Sequence, residues 1–472
     1  MGKAPMEGER KMKRIAKRLF AAALAALLAL PAAALAGTAQ KPAEHRMPVV
    51  YLTTDEKNLW DEQAGMLADG PNLDRDRDEL PWKQATYWQQ NAYPGWVEYY
   101  DEAGELLFSQ EMTFQATGGY ALDMPQKSLA VCAKDGEAFE AALFADRADK
   151  AYTSFLLRNG GSEGKFTRLM DGLQARLADQ ANAPVLAQAW RPVAVYLNGE
   201  YYGQYNLREN PDAGMIARRM GWSDAAAIDI LKGNGTGASD VLQGSNEEYK
   251  ALCDFVRAHD LAAEPEALQA VLDQVDLDSL IDYFFLNMFF GNTDPGSICF
   301  YRSAQGDGKW RYLMRDMDWG LFSSTSGGPA YVLDEAGMGA AKFQSNRILR
   351  ALLSVPDIRT RFLKRGGELF QTVLTTENMT ALLDEMEAQI EPEMDAHFAR
   401  WADKTHEKIN FDMPKEAKGA KEYWLSRVER ARNVLKKRPA LFWDMAREDF
   451  SLDGAQMESF FGPRPKTPAD AV

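Results

Sequence analysis

Histidine and cysteine are scarce. The 472 residues include four histidines and three cysteines. Neither type forms an H-E-x-x-H or paired-cysteine spacing, so a zinc site of the usual kinds is excluded. Cys132, Cys253 and Cys299 allow one disulfide at most, so the chain is no disulfide scaffold. Positive charge is also in deficit: 54 Lys and Arg stand against 69 Asp and Glu, a net charge of -15. A nucleic-acid surface needs a basic stripe, so nucleic acid is not an expected partner. No internal repeat is visible.

What is present suits a folded protein. Hydrophobic residues make up 46% and charged residues 26%, enough for a buried core. Lys11, Lys13, Arg14, Lys17 and Arg18 precede the apolar run LFAAALAALLALPAAALA, which closes on Ala34-Leu35-Ala36. That is the layout of a cleaved secretory signal. Residues 1–36 are therefore expected to be a signal peptide, with a membrane anchor as the alternative. An exported bacterial protein follows, secreted or in the cell envelope or periplasm, with no membrane segment after cleavage.

Residues 37–47 read as a polar leader. MPVVYLTT reads as a first strand, and WVEYYDEAGELLFSQEMTFQATGG as a hairpin about Asp101–Gly104. WRPVAVYLNGEYYGQYNLRE is a second hairpin whose Asn198-Gly199 predicts a type I′ turn. LDSLIDYFFLNMFFG predicts an apolar helix. ICFYRS and KWRYLM predict a further hairpin. Beyond about residue 340 the period is helical. The expected architecture is α+β. A β-rich part covers 48–210, a central part 211–340, a helical part 341–460, and a disordered tail 461–472.

Several patterns bear on chemistry. GGSEG at 160–164 matches G-x-S-x-G and would make Ser162 a nucleophile; a glycine-rich turn before a helix explains it as well. GNGTG at 233–237 could turn amides toward a phosphate, or be a plain surface loop. A stronger signal is a pair of elements. GNTDPGSICFYR puts Asp294 in a tight turn before a strand, and KWRYLMRDMDWG puts Asp316 and Asp318 at the end of the next. Side chains at i and i+2 of a strand share a face, so both carboxylates can converge, and their oxygens suit Mg²⁺ or Mn²⁺. The alternative is three solvated strand ends. Trp310 can be read as an adenine platform or as core packing.

From PVVYLTTDEKNLW through QKSL, FLLRNGG and YLNGEYYGQYNLRE to GNTD…FYR and RYLMRDMDWGLF, over roughly 48–325, the chain resembles the CotH kinase family, which is named for spore coat protein H. The resemblance implies an atypical protein-kinase-like fold that binds ATP with Mg²⁺ or Mn²⁺. It implies transfer of the γ-phosphate to Ser or Thr of a protein outside the cytoplasm. The protein is expected to be a monomer. Asp294 matches the catalytic aspartate and Asp316 the metal ligand, with Asp318 beside it. Lys127, expected on a strand, would neutralise phosphate charge. Glu209 would pair with that lysine or hold a metal-bound water. Arg158 and Asn159 would contact phosphate. Ser297 stands where many relatives resemble N-T-D-x-G-N and carry an asparagine ligand, and Cys299 where a basic residue is common. These departures leave room for a family member that binds without turnover. A D-x-D glycosyltransferase is a third reading, weakened by the absence of strand–helix alternation before the motif.

Overall fold

The computed structural model describes residues 41, 44–148, 150–334, 346–410 and 412–469. The expected signal peptide lies outside them. Among the described residues no helix is long and apolar enough to cross a membrane.

Alternating apolar residues build the first half. The strands in chain order are β1 (Val49–Thr53), β2 (Ala92–Tyr100), β3 (Leu106–Thr117), β4 (Ser128–Ala133), β5 (Phe139–Glu140), β6 (Ala151–Tyr152), β7 (Ser154–Arg158), β8 (Leu186–Ala187), β9 (Trp190–Leu197) and β10 (Glu200–Glu209). Seven of them close a barrel in the order β1-β2-β3-β4-β7-β10-β9. Closure comes from the parallel pair β1 and β9, with Val49 opposite Ala194. Val50 and Leu52 face a core shared with Val97, Phe114, Val131, Phe155, Val195 and Leu207, while Val49 and Tyr51 join a second cluster outside. Period two thus puts alternate residues of β1 on opposite faces. The β9–β10 turn is as expected: Asn198 and Gly199 both have positive φ, 49° and 85°.

Strands β11 (Ile228–Lys232), β12 (Val241–Gln243), β13 (Cys299–Ser303) and β14 (Arg311–Met314) form a second sheet with β8, in the order β12-β11-β13-β14-β8. One strand of this sheet therefore comes from the β-rich part of the chain: β8 runs parallel to β14, with Leu186 opposite Leu313. Helix Leu277–Phe290 packs behind it. Asp276 caps that helix through the Ser279 N–H, and its long apolar run is buried on every side.

From residue 346 onward the chain is helical, which completes an α+β architecture. Among the described residues the longest helix is Ala417–Asp449. Gly367, on the helix Pro356–Thr372, sits so close to the backbone of Phe460 that an added Cβ would lie 1.8 Å from its carbonyl oxygen. The expected tail begins with the last residue of helix Gly454–Phe461, and Arg464 is tied to Asp444 by two bonds of 2.7 and 2.6 Å.

Arg438 connects these layers. It is fully buried on the long helix and donates to four carbonyls. Nε reaches Phe289 O at 2.6 Å and Nη2 reaches Met288 O at 2.8 Å, both in the last turn of the helix before Asp294. Nη1 reaches Ser324 O at 2.8 Å and Ser326 O at 3.0 Å, just beyond the D-x-D turn. The carbonyls of Met288 and Phe289, at a helix end, have no intrahelical partner. Arg438→Met would strand four of them and should cost about 2–4 kcal/mol; a urea or thermal melt should show a clearly lowered midpoint.

Candidate functional site

Three segments meet at the edge where the barrel abuts the second sheet. The first is the end of β7. Arg158 is its last residue, and Asn159, Gly160 and Gly161 turn the chain. Asn159 is buried and holds this turn from inside. Its Oδ1 accepts from Ser128 Oγ at 2.9 Å and from Gly161 N at 2.9 Å, and its Nδ2 donates to Gln126 O at 2.7 Å. A side chain so bonded is a brace, and the expected phosphate contact from Asn159 is not what the structure presents. Gly161 has φ of 63°, and a Cβ there would lie 2.0 Å from Asp318 Oδ2. Only glycine lets this turn approach the carboxylate.

The second segment is R-D-M-D-W-G. Strand β14 ends at Met314, so Asp316 and Asp318 are not on a pleat. Asp316 instead takes the left-handed conformation, φ 54°. For a residue other than glycine that costs about 1 kcal/mol or more. The turn is held by helix Met170–Gln180: Asp171 Oδ1 accepts from Met317 N at 3.1 Å, and Gln174 Nε2 donates to Met317 O at 2.9 Å. The carboxylates converge all the same. Arg158 Nη2 donates to Asp316 Oδ1 and to Asp318 Oδ1, both at 2.7 Å. Asp318 Oδ2 accepts from Ser162 N at 2.6 Å. The expected convergence is found, by a different backbone route.

The third segment is the turn after helix Leu277–Phe290. Asp294 Oδ1 accepts from Gly296 N at 2.8 Å. Buried Asn292 ties this turn to the D-x-D element, with Nδ2 donating to Ser297 Oγ at 2.8 Å and approaching Met317 Sδ at 3.6 Å. Ser297 Oγ donates in turn to Asp294 O at 2.7 Å and is 1% exposed. Both roles of the hydroxyl are filled inside the turn, so Ser297 shapes it and is not placed as a metal ligand.

Charge in the site is in surplus of negative sign. Arg158 is ringed by Asp316, Asp318 and Asp171, the last 3.5 Å from its Nε. Burial opposes the guanidinium charge, yet Asp318, Asp171 and Asp316 hold it protonated, well above its ordinary value. Arg208, fully buried, bonds Asp171 Oδ2, the same oxygen that Arg158 Nε approaches. Burial raises the Asp318 carboxyl, against Arg158, and Asp316 and Asp171 add to the rise. Burial also raises the Asp294 carboxyl; the Gly296 N–H and Arg315 oppose this, and Asp316 reinforces it. Asp294 and Asp316 therefore feel one another, as the hairpin reading requires.

Two carboxylates at one point suit a Mg²⁺-sized ion that draws its other ligands from phosphate and water. Among the described residues no group of three or more His, Cys, Asp or Glu is placed to hold a metal by itself. Asp316 and Asp318 would therefore supply only part of a metal's ligands, and the Arg158 guanidinium lies between them.

The other expected residues lie elsewhere. Lys127 precedes β4 by one residue and is buried. Its Nζ donates to Met124 O at 2.7 Å and lies 3.7 Å from the Tyr87 ring centroid. Burial lowers its pKa to about 7. It lines a separate groove of about 1150 Å³ with Trp60 and Trp401. Glu209 does not pair with it. Glu209 is buried against Arg218 at 2.6 Å and Arg219 at 3.0 Å, and accepts from Ala189 N at 3.0 Å. Trp310 is 1% exposed, wedged between Tyr249 and Phe300, and offers adenine no face. Among the described residues no histidine is bonded to Ser162: the four are engaged elsewhere, with Glu393, Glu264, Gln204 and Asp76. In the GNGTG loop the Gly233, Gly235, Thr236 and Gly237 amides are bonded to protein oxygens, which leaves no amide cradle.

The family model for CotH kinase protein matches residues 114–442, well over half of the chain. The chain belongs to the CotH kinase family. A search of curated proteins returns no match. For this CotH family member the matched region takes in all three segments of the site, from Arg158 through Asp294 to Asp318. It also takes in Asp171 and Arg208, which sequence reasoning passed over. Asp171 sits in an ordinary helical pattern and Arg208 in a strand, and no spacing marks either as a site residue.

The ion cluster generates a test. Arg158→Ala leaves three carboxylates facing one another and should cost about 3 kcal/mol. Millimolar Mg²⁺ should recover part of that loss in the variant and leave the wild-type melting temperature unchanged, as thermal-shift measurement would show.

Proposed function

We propose that the protein is an exported CotH-type kinase that transfers the γ-phosphate of ATP to Ser or Thr hydroxyls of a protein outside the cytoplasm. The observation that carries this reading is the meeting of Asp316 and Asp318 on a single Arg158 nitrogen, beside Asp294, in a member of this family. On the same reading the barrel and the second sheet with its helices serve as the two lobes of an atypical kinase. The apolar run before Ala36 supports export.

Asp316 and Asp318 would hold Mg²⁺ or Mn²⁺, which supplies charge neutralisation for the phosphates. The chain's own residues do the rest. Asp294 is anchored by the Gly296 N–H, so its second oxygen is free to orient an acceptor hydroxyl and take its proton. Its raised pKa brings it nearer to the range in which a base works at neutral pH. Arg315 and Lys232 both act on the buried Cys299 thiol and so border this turn. Neither makes an ion pair among the described residues. They are the cations available for phosphate oxygens, the role that Lys127 was expected to fill. Release of Arg158 from the carboxylates would add a third.

One observation favours a second reading, a cell-envelope binding protein without turnover: the Arg158 guanidinium already fills the point where a metal would sit. Incubating residues 37–472 with labelled ATP, Mg²⁺ or Mn²⁺ and a serine-rich acceptor protein separates the two. Labelled phosphate should reach the acceptor. Asp294→Asn should lower the rate by about 10²-fold or more while nucleotide still binds. Asp316→Ala should abolish metal-dependent ATP binding. Absence of ATP binding by the wild type would favour the second reading, and an undiminished rate in Asp294→Asn would remove the base from that residue.

A further inference from the structure

Where the helix Met394–Trp401 meets the barrel lies a cavity of about 50 Å³. Arg168, Lys165 and Asn159 line it from one side and His397, on that helix, from the other. Asn159 is the brace of the Arg158 turn, but none of the aspartates of the candidate site reaches this wall. Among the described residues that line the cavity none is acidic, in a chain whose net charge is -15.

Arg168 is 5% exposed and makes no ion pair among the described residues. Its bonds go to neutral oxygens. Nε donates to Gln204 Oε1 at 2.8 Å, and Nη2 donates to Gln126 Oε1 and to Gln204 O, both at 2.9 Å. Among the described residues Nη1 has no partner, and it keeps accessible surface. It lies on the cavity side: a Cβ added to Gly164, another wall residue, would stand 3.9 Å from it. Burial lowers the guanidinium to about 10, which leaves it charged at neutral pH.

His397 is 3% exposed, and its Nδ1 accepts from Gln204 N at 3.3 Å. Burial and Arg168 hold its pKa well below the usual imidazole value. The ring is therefore neutral, with its proton on Nε2. Among the described residues Nε2 has no partner either, and it keeps accessible surface. Two nearly buried side chains thus bring open donors to one small space. Half-buried Lys165 adds a second cation to the wall.

A buried charge is ordinarily paired. Water could satisfy both donors but would leave the guanidinium charge uncompensated. The neutral polar side chains of the wall are engaged already: Gln126 with Gln204, Asn159 with Gln126, and Thr405 with Ala402. A wall that offers donors and cations is wrong for a metal. The space takes about one or two bodies the size of a water, too few for a tetrahedral oxyanion.

We propose that this cavity binds a chloride-sized monoanion, which accepts hydrogen bonds from Arg168 Nη1 and His397 Nε2 and compensates the buried guanidinium. The anion fastens the helix Met394–Trp401 to the barrel. The site is independent of phosphoryl transfer and exists whether or not the protein is a kinase.

Thermal melts of residues 37–472 in sodium chloride and in sodium gluconate at equal ionic strength test it, because gluconate is too large for the cavity. Replacing gluconate by about 100 mM chloride should raise the wild-type melting temperature by about 2 °C more than that of Arg168→Met, and the rise should saturate. A wild-type crystal soaked in bromide gives a second measurement that needs no variant. An anomalous peak should stand between Arg168 and His397. An equal response to chloride in wild type and folded Arg168→Met would overturn the proposal. So would a bromide-soaked crystal with no peak in this cavity.

Discussion

One guanidinium holds the centre of this protein together. Arg158 ends a barrel strand, and through three carboxylates it reaches a helix of the barrel side and the turn that ends the second sheet. Three acids within reach of one cation would repel one another without it. The Ser162 amide, the Gly161 turn and the left-handed Asp316 all follow from the need to bring Asp318 against that cation. Arg208 completes the balance at Asp171. Asp316 in turn acts on Asp294 and helps to raise its carboxyl.

The fold serves this arrangement from both sides. The parallel pairing of β8 with β14 fixes the end of β14 two residues before Asp316. Asp171 and Gln174, one turn apart on a helix, hold the Met317 peptide at both its N–H and its C=O. Asn292 ties the Asp294 turn to the same methionine. Arg438 fastens the carbonyls of Phe289, before Asp294, and of Ser324, after Asp318. The two acidic turns are therefore parts of one scaffold, and packing far from the surface decides their distance.

Much of this was legible in the sequence because it was local. Alternation and Asn198-Gly199 revealed the barrel hairpin, and continuous apolarity revealed the helix before Asp294. The pair Asp316 and Asp318 was legible as well, but the reason lay outside the pattern. They converge through a left-handed turn, and the i, i+2 pleat plays no part, since β14 ends earlier. Lys127, Glu209 and Trp310 lie away from the aspartate cluster for a common reason. A polar or aromatic residue at a strand end looks the same whichever space it faces, and only tertiary packing buried Glu209 against two arginines, put Trp310 in the core, as its second reading had it, and set Lys127 on a different groove. Asp171 and Arg208 carried no signal at all, because their partners are distant in sequence.

The central claim is that the Arg158 guanidinium and a nucleotide-bound divalent ion exchange places on Asp316 and Asp318. The most direct test is a crystal structure grown with Mn²⁺ and a non-hydrolysable ATP analogue, with the metal located by its anomalous scattering. The account predicts an anomalous peak in direct contact with both carboxylates and the Arg158 side chain turned away toward phosphate. A peak elsewhere, or Arg158 still bridging the two aspartates with the nucleotide bound, would contradict it.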